Sequence, residues 1–393
     1  EKNGFPFKAI DHVLQAGDFV HAADMIEDIV KRPTAWSMLN AASLTTWLEL
    51  LPEQILQARP TLRLYQARAF TVRGQLPKSD TILQALAEQL RQERPSGSES
   101  STLIEQITAD RVSNAILCGE PLRAIDYAEQ ALAQLPQENL PARMRLEAIL
   151  AMACYRVGKI TRAGRAYDRA VQAARAVGIP LVIASLQTGV AKVNMAQGHL
   201  REAAQLCAEA CRLSELNHRR TAVAGPALVT WAKIRIEQNE LLEAHSLLTE
   251  GLDLLLKNGP VHGLANAYTV QARLHRSAGQ YDAAFASLRR AAQFAQGQPA
   301  GTLASCIPAQ RARLALATGD LHQARRWAND YRQTAPTEFL REFEELTLAR
   351  VNLSGSRPDA ALSLLDTLLL EADRVGRYCS IIEILALRAL AFA

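Results

Sequence analysis

Five basic residues stand at one repeated place in this chain: Arg68, Lys192, Lys233, Arg273 and Arg313, each six residues before a turn residue that ends a helix. Residues equivalent by repeat line up along a stack of repeats, so these side chains form a ladder. A row of cations on the first helices would attract an anionic ligand or an acidic partner segment. The alternative is a solvated face whose charges pair with nearby Glu and Asp. Trp231 and Tyr268 fall on neighbouring first helices, where they would stack on a sugar or nucleobase or serve as core. Cys207 and Cys211 are four apart on one helical face and His218 follows, but two thiols and a distant imidazole fall short of a metal site. Packing is the expectation for both cysteines, and no metal ligand is assigned. His245 and His275 sit inside helices without an acid or nucleophile partner in sequence. No Ser–His–Asp or paired-carboxylate arrangement can be assembled, so no catalytic residue is expected and the chain is not read as an enzyme.

These residues need elements to hold them, and the elements repeat. His262–Ala292 is the clearest copy: a helix, a tight turn at Gly279–Gln280, and a second helix that is apolar at Ala284, Phe285, Leu288 and Ala292, the spacing of one helical face. The same turn recurs at Gly17, Gly74, Gly119, Gly158, Gly198, Asn239, Gly279, Gly319 and Gly355. Asparagine is the next-best residue after glycine for a left-handed turn. The spacings are 57, 45, 39, 40, 41, 40, 40 and 36. Seven places before the turn stands a small residue, Ala67, Ala151, Ala191, Ala232, Ala272 or Ala312, with Val112 and Leu348 as exceptions. At the sixth place, Ser113, Met152 and Ala349 interrupt the basic series. A period near 40 with two helices per unit predicts an all-α, tetratricopeptide-like α-solenoid of about nine hairpins forming a right-handed superhelix. Each hairpin has too little apolar surface to stand alone, so neighbours share a continuous core.

Composition fits that reading and narrows the function. A chain of 393 residues would ordinarily suggest two or three globular domains, but a solenoid grows by adding units. Apolar residues make up 49% and aromatics only 5%, which suits close helix packing. No apolar run is long enough to cross a bilayer and no signal peptide is present, so no membrane partner is expected. Six cysteines without a CxxC pair point to a reducing compartment, and the chain is read as cytoplasmic. A net charge of +4 is too small to argue direct nucleic-acid binding. Of the 44 basic residues 8 are Lys, leaving 36 Arg. Arginine suits bidentate contacts to carboxylates and phosphates, although high-GC codon usage produces the same bias.

In chain order, Glu1–Phe7 reads as a leading loop. Lys8–Gln15 and Phe19–Val30 form a first hairpin with Asp18 as N-cap. Thr34–Leu51 reads as one amphipathic helix, Pro52–Glu53 opens a short helical turn, and Arg59–Pro60 breaks the chain before Leu62–Val72. Residues 1–60 thus form an atypical N-terminal hairpin plus an extra helix. The polar run Arg94–Ser101 reads as an exposed loop. Regular hairpins fill 61–377, and 378–393 reads as the first helix of a further repeat without its partner. The whole of 1–393 is taken as one superhelix.

Several stretches resemble a known family. Asn3–Gly4, Ala9–Ile10, Leu14–Phe19 and Ala22–Glu27 are similar to the start of the sensor region in MalT-like regulators, large ATP-dependent transcription activators with a LuxR-type DNA-binding end. Trp47–Glu53 with Ala58–Pro60, and Gly376–Arg377 with Ser380–Leu387 and Ala389–Ala391, resemble further parts of that region. The resemblance implies a parent with a nucleotide-switch domain, an arm domain, this helical sensor and a helix-turn-helix. This chain carries no G-x-x-x-x-G-K-[ST] phosphate loop, since Gly158–Lys159 lacks the preceding glycine. No cofactor is therefore assigned to it, and ATP binding is expected elsewhere in the parent.

The function expected is effector sensing for transcription regulation. A small ligand or regulatory protein would bind in or beside the superhelical groove, and other domains of the parent would be partners. The rival is a protein–protein interaction scaffold that holds a peptide or helix and takes no small-molecule effector.

Overall fold

The structure, a computed structural model, describes residues 6–31, 41–93, 98–216, 219–258, 261–296, 306–331 and 338–392. The chain is an all-α solenoid of helical hairpins. Its contacts group into two compact units, 1–114 and 115–393, where the sequence reading takes 1–393 as one superhelix. Each unit is described by itself.

The first unit holds α1 (Pro6–Gln15), α2 (Phe19–Val30), α3 (Ala41–Leu50), α4 (Glu53–Gln57), α5 (Pro60–Val72), α6 (Leu76–Glu93) and most of α7 (Ser98–Leu117). Asp18 caps α2 as expected, accepting the His21 N–H at 3.2 Å. Of the long helix expected over Thr34–Leu51, Ala41–Leu50 is helical and 34–40 lie outside the described residues. Two boundaries differ from expectation. Pro60 does not break the chain but opens α5, because the first helical position needs no N–H. The polar run at 94–101 is helical from Ser98 onward, since Ser and Glu favour a first helical turn through capping and the helix dipole. Ile10, Ile26, Leu44, Leu48, Leu56 and Leu62 form the core here. A buried polar knot ties α5, α6 and α7: the Asn114 amide donates to Ser79 Oγ at 2.9 Å, and the Thr71 hydroxyl donates to Asn114 Oδ1 at 3.0 Å.

The second unit continues with α8 (Pro121–Gln134), α9 (Leu140–Arg156), α10 (Ile160–Val177), α11 (Pro180–Ala196), α12 (Leu200–Leu213), α13 (Ala224–Glu237) and α14 (Leu241–Asn258). It ends with α15 (Val261–Ser277), α16 (Tyr281–Ala295), α17 (Cys306–Ala317), α18 (Leu321–Asp330), α19 (Glu338–Ser354), α20 (Pro358–Val375) and α21 (Tyr378–Phe392). A two-residue antiparallel ladder, Glu215 opposite Arg220 and Leu216 opposite Arg219, precedes α13; its period is too short to read from sequence. The alanines seven before the turns, Ala151, Ala191, Ala232, Ala272 and Ala312, are all buried where paired helices meet. Packing is tightest at Gly189 on α11, where an added Cβ would collide with the Tyr167 ring of α10.

Hairpin turns share one geometry. The turn residue takes positive φ, and the next N–H returns to the carbonyl five residues back: His199 to Asn194 at 2.8 Å, Gln280 to His275 at 2.8 Å, Asp320 to Ala315 at 2.9 Å. Asn239 takes the glycine's place at φ 61°. The last turn corrects the sequence register. Ser356, not Gly355, holds positive φ there, at 54°, and the Arg357 N–H reaches Asn352 O at 2.9 Å. Gly355 stands beside the turn, but the hydrogen bonding places the turn one residue later. With Ser356 as reference the small residue seven before is Ala349 (356 − 7), fully buried, and Leu348 is no exception.

Within this unit α21 packs on α20 and also returns to α11. The Cys379 thiol donates to Met195 O at 3.0 Å. The root of α21 is fixed by Arg377, 1% exposed, whose Nε and Nη2 lie 2.8 and 2.6 Å from Glu342 Oε2. Ser380 Oγ donates to the other oxygen of Glu342.

Candidate functional site

The register correction extends the basic ladder. Six before Ser356 (356 − 6) stands Arg350, so Ala349 does not interrupt the series. The second unit then presents Lys192 on α11, Lys233 on α13, Arg273 on α15, Arg313 on α17 and Arg350 on α19: five consecutive first helices with a cation at one position. Arg68 shares the position but belongs to the first unit, so the five residues expected as one row divide between two units.

Electrostatic coupling runs along the row. Lys233 feels both Arg273 and Lys192, and Arg313 feels Arg273 and Arg350. Arg156 at the end of α9 adds to Lys192, and Arg276 on α15 adds to Arg313. Sequence alignment on the turns missed Arg156 and Arg276, which sit nearer their turns; only packing brings them in.

The arginine end is neutralised. Arg313 Nη1 lies 3.0 Å from Glu383 of α21, its Nε donates to Thr347 Oγ1 at 2.7 Å, and its guanidinium lies 4.1 Å from the centre of the Phe343 ring. Arg350 Nη2 donates to the same Glu383 at 2.9 Å. Burial alone would raise the Glu383 carboxyl, but Arg313 and Arg350 outweigh it and hold it below its ordinary value. Glu383 was not singled out in sequence, because nothing in the repeat pattern shows that α21 reaches α17 and α19. Arg273 pairs with Glu237 at 2.7 Å through Nη1, while its buried Nε has no acceptor among the described residues.

The lysine end differs. Among the described residues neither Lys192 nor Lys233 has an ion pair or a hydrogen bond. Burial lowers both, and Lys233, with Arg273 and Lys192 adding to burial and Glu237 opposing, is pushed down to about 8. Cys379 on α21 lies close enough to interact with Lys233, Arg273 and Glu237.

The other sequence candidates are part of the packing. Tyr268 stacks on Phe294 with ring centres 5.5 Å apart and planes 7° from parallel. Trp231 joins two core clusters, and its buried indole N–H has no acceptor among the described residues. Cys207 and Cys211 are 0% and 1% exposed, and burial raises their thiols to about 12 and about 11, as expected of packing cysteines. His218 lies outside the described residues, among which no cluster of metal-binding side chains occurs. No described helix is long and apolar enough to cross a membrane. A separate cavity of about 560 Å³ is lined by Ala292, Ile307, Pro308, Arg311, Arg326 and Trp327; it takes Arg311, on the face of α17 away from Arg313.

Known proteins resemble this arrangement at two levels. In fold, the chain is similar to the Rap protein crystallised with Competence and Sporulation Factor, with a TM-score of 0.59 and 12% identity over 85% of this chain and 98% of that one. It is also similar to the Cut9–Hcn1 structure, at TM-score 0.52 and 14% identity over 97% of this chain and 74% of that one. In sequence, 144 residues are 33% identical to the HTH-type transcriptional regulator MalT of Cronobacter sakazakii (strain ATCC BAA-894), a match of 36% of this chain and 15% of that protein's length. The profile of the MalT-like TPR region matches residues 105–393, which takes in the whole second unit and the full ladder within it. By that match the chain belongs to the MalT-like TPR family, the regulatory helical-repeat regions typified by MalT.

Proposed function

We propose that this chain is the signal-receiving part of a transcription regulator, and that the row from Lys192 to Arg350 on the second unit is where the signal binds. The carrying observation is the uneven neutralisation of that row: five equivalent cations, of which Lys192 and Lys233 have no ion pair or hydrogen bond among the described residues. A solvated surface face would spread its charges among flexible partners; this row is half-buried beneath α21. Binding here would tie α11, α13 and α15 to α21, so it would shift the population of any arrangement that depends on α21. In the longer regulator suggested by the MalT relative, nucleotide and DNA binding would fall outside this chain, in the cytoplasm.

A regulatory protein segment is the second reading. It is supported by Glu383, through which a largely apolar helix already seats one carboxylate against Arg313 and Arg350. The Rap structure with its bound factor makes such a segment a natural test case. The experiment is a thermal-stability panel of sugars, nucleotides, acyl thioesters, aromatic acids and acidic peptides, with hits repeated on Lys192→Met. A ligand that binds only the folded chain raises the midpoint. A hit weakened by Lys192→Met supports the row; hits that ignore it place the signal elsewhere, and an empty panel removes this reading.

A further inference from the structure

The repeat position occupied by Lys192 and Lys233 is satisfied wherever the chain places an arginine in it. Arg68 donates from Nε to Asp110 at 2.5 Å and from Nη2 to Gln106 at 3.1 Å, within the first unit. Arg273, Arg313 and Arg350 each pair with a carboxylate. The two lysines do not: they adjoin each other and Arg156 and Arg273, and the carboxylate nearest in charge to Lys233, Glu237, is paired with Arg273. Removing ammonium groups from water beside other cations costs the fold stability. Charges kept at such a cost are characteristic of binding sites. A buried donor also points the same way, since Arg273 Nε has no acceptor among the described residues.

We propose that Lys192, Lys233 and Arg273 Nε bind a compact multivalent anion, a small molecule carrying phosphate or clustered carboxylate groups. This rests on the functional reading above and specifies its ligand. Lysine is a compact, strongly charged donor with three rotatable N–H groups, suited to oxyanions approached from several sides, while the Arg273 guanidinium adds a fixed N–H. The row's ability to hold an anion is already displayed at its other end, where Glu383 sits between Arg313 and Arg350. The ligand does at the lysines what Glu383 does at the arginines. The thiol of Cys379, already donating to Met195 O, and the turn of α21 that bears it form the wall over this end. The depressed ammonium of Lys233 regains its ordinary charge preference once the anion is in place.

The experiment uses the full chain and three probes: inorganic pyrophosphate, citrate and the neutral sugar raffinose, each against sodium chloride of matched ionic strength. Pyrophosphate or citrate is expected to raise the unfolding midpoint by about 3 °C or more at millimolar concentration, and raffinose to leave it unchanged. The response to pyrophosphate against citrate separates a phosphoryl from a carboxylate ligand. Lys233→Glu supplies the missing negative charge from within. It is expected to melt above the parent chain without any anion and to lose most of the response. Lys192→Met with Lys233→Met is expected to melt no lower than the parent and to lose the response as well. The proposal is overturned if neither anion acts on the parent chain, if the variants respond as the parent does, or if Lys233→Glu melts several degrees lower, which would make Lys233 a structural cation. If a neutral compound or a peptide stabilises the chain while both anions fail, the anion site falls and the signal-binding reading stands.

Discussion

Arg68 in the first unit and Lys233 in the second occupy the same place in the repeat, six residues before the turn, yet their surroundings are opposite. Around Arg68 the next first helix, α7, supplies Asp110 and Gln106, and Tyr65 lies 4.9 Å beneath the guanidinium. Around Lys233 the next first helix supplies Arg273, and the previous one supplies Lys192. A repeat fixes where a side chain points, because the first helices stack in register. It does not fix what the side chain meets, which depends on the equivalent face of its neighbours. The ladder position is therefore structural at Arg68 and unsatisfied at Lys192 and Lys233.

Three measurements would break or sharpen that contrast. The largest effect belongs to a cation that is fully buried and ion-paired. Arg377→Met leaves Glu342, 4% exposed, without its partner, and removing one side of a buried pair costs about 3–5 kcal/mol. Chemical denaturation should show the second unit losing that much, with hydrogen exchange in α19 and α21 rising first. A loss below about 1 kcal/mol would mean that α21 is not anchored there. Next, Arg68→Met and Lys233→Met should act in opposite directions. Arg68 and Asp110 are partly exposed, so breaking the pair should cost about 1 kcal/mol, read as faster exchange in α5 and α7. Lys233→Met should slow exchange in α13 without added anion. The same sign for both would erase the distinction drawn here.

The smallest effect is a pH dependence. The unfolded chain keeps Lys233 protonated up to the ordinary lysine value of 10.5, whereas the folded chain keeps it protonated only up to about 8. Between those values unfolding takes up a proton, so this residue makes stability rise with pH from about 8 to about 10.5 and leaves it unchanged below. Lys192 on α11, Arg273 on α15, Glu237 on α13 itself and Cys379 on α21 face it, and burial pushes the Cys379 thiol up from its ordinary value. The difference between the parent and Lys233→Met isolates the lysine. That difference should shrink as pH rises from 8 to 10.5; a flat difference would place Lys233 in a less buried, better compensated site.

Much of this architecture is visible in the chain itself. Glycine or asparagine at positive φ every 40 residues or so, with a buried alanine seven places earlier, specifies hairpins through backbone sterics and close packing alone. The same count picked out Arg68, Lys192, Lys233, Arg273 and Arg313, since residues at one repeat position share a direction. It stumbled at the last turn, where Gly355 and Ser356 are adjacent and only hydrogen bonding says which turns. That single step hid Arg350 and Ala349.

What tertiary structure alone decided is which charges meet. Glu383 is 70 residues from Arg313 in sequence and 3.0 Å away in space, because α21 crosses back to first helices that no repeat count relates to it. Cys379 reaches Met195 by the same return. Local sterics act within a few residues and leave a periodic trace in the sequence. Electrostatic neutralisation depends on contacts between distant segments and leaves none, so sequence could place the cations while only the fold could show which of them form ion pairs.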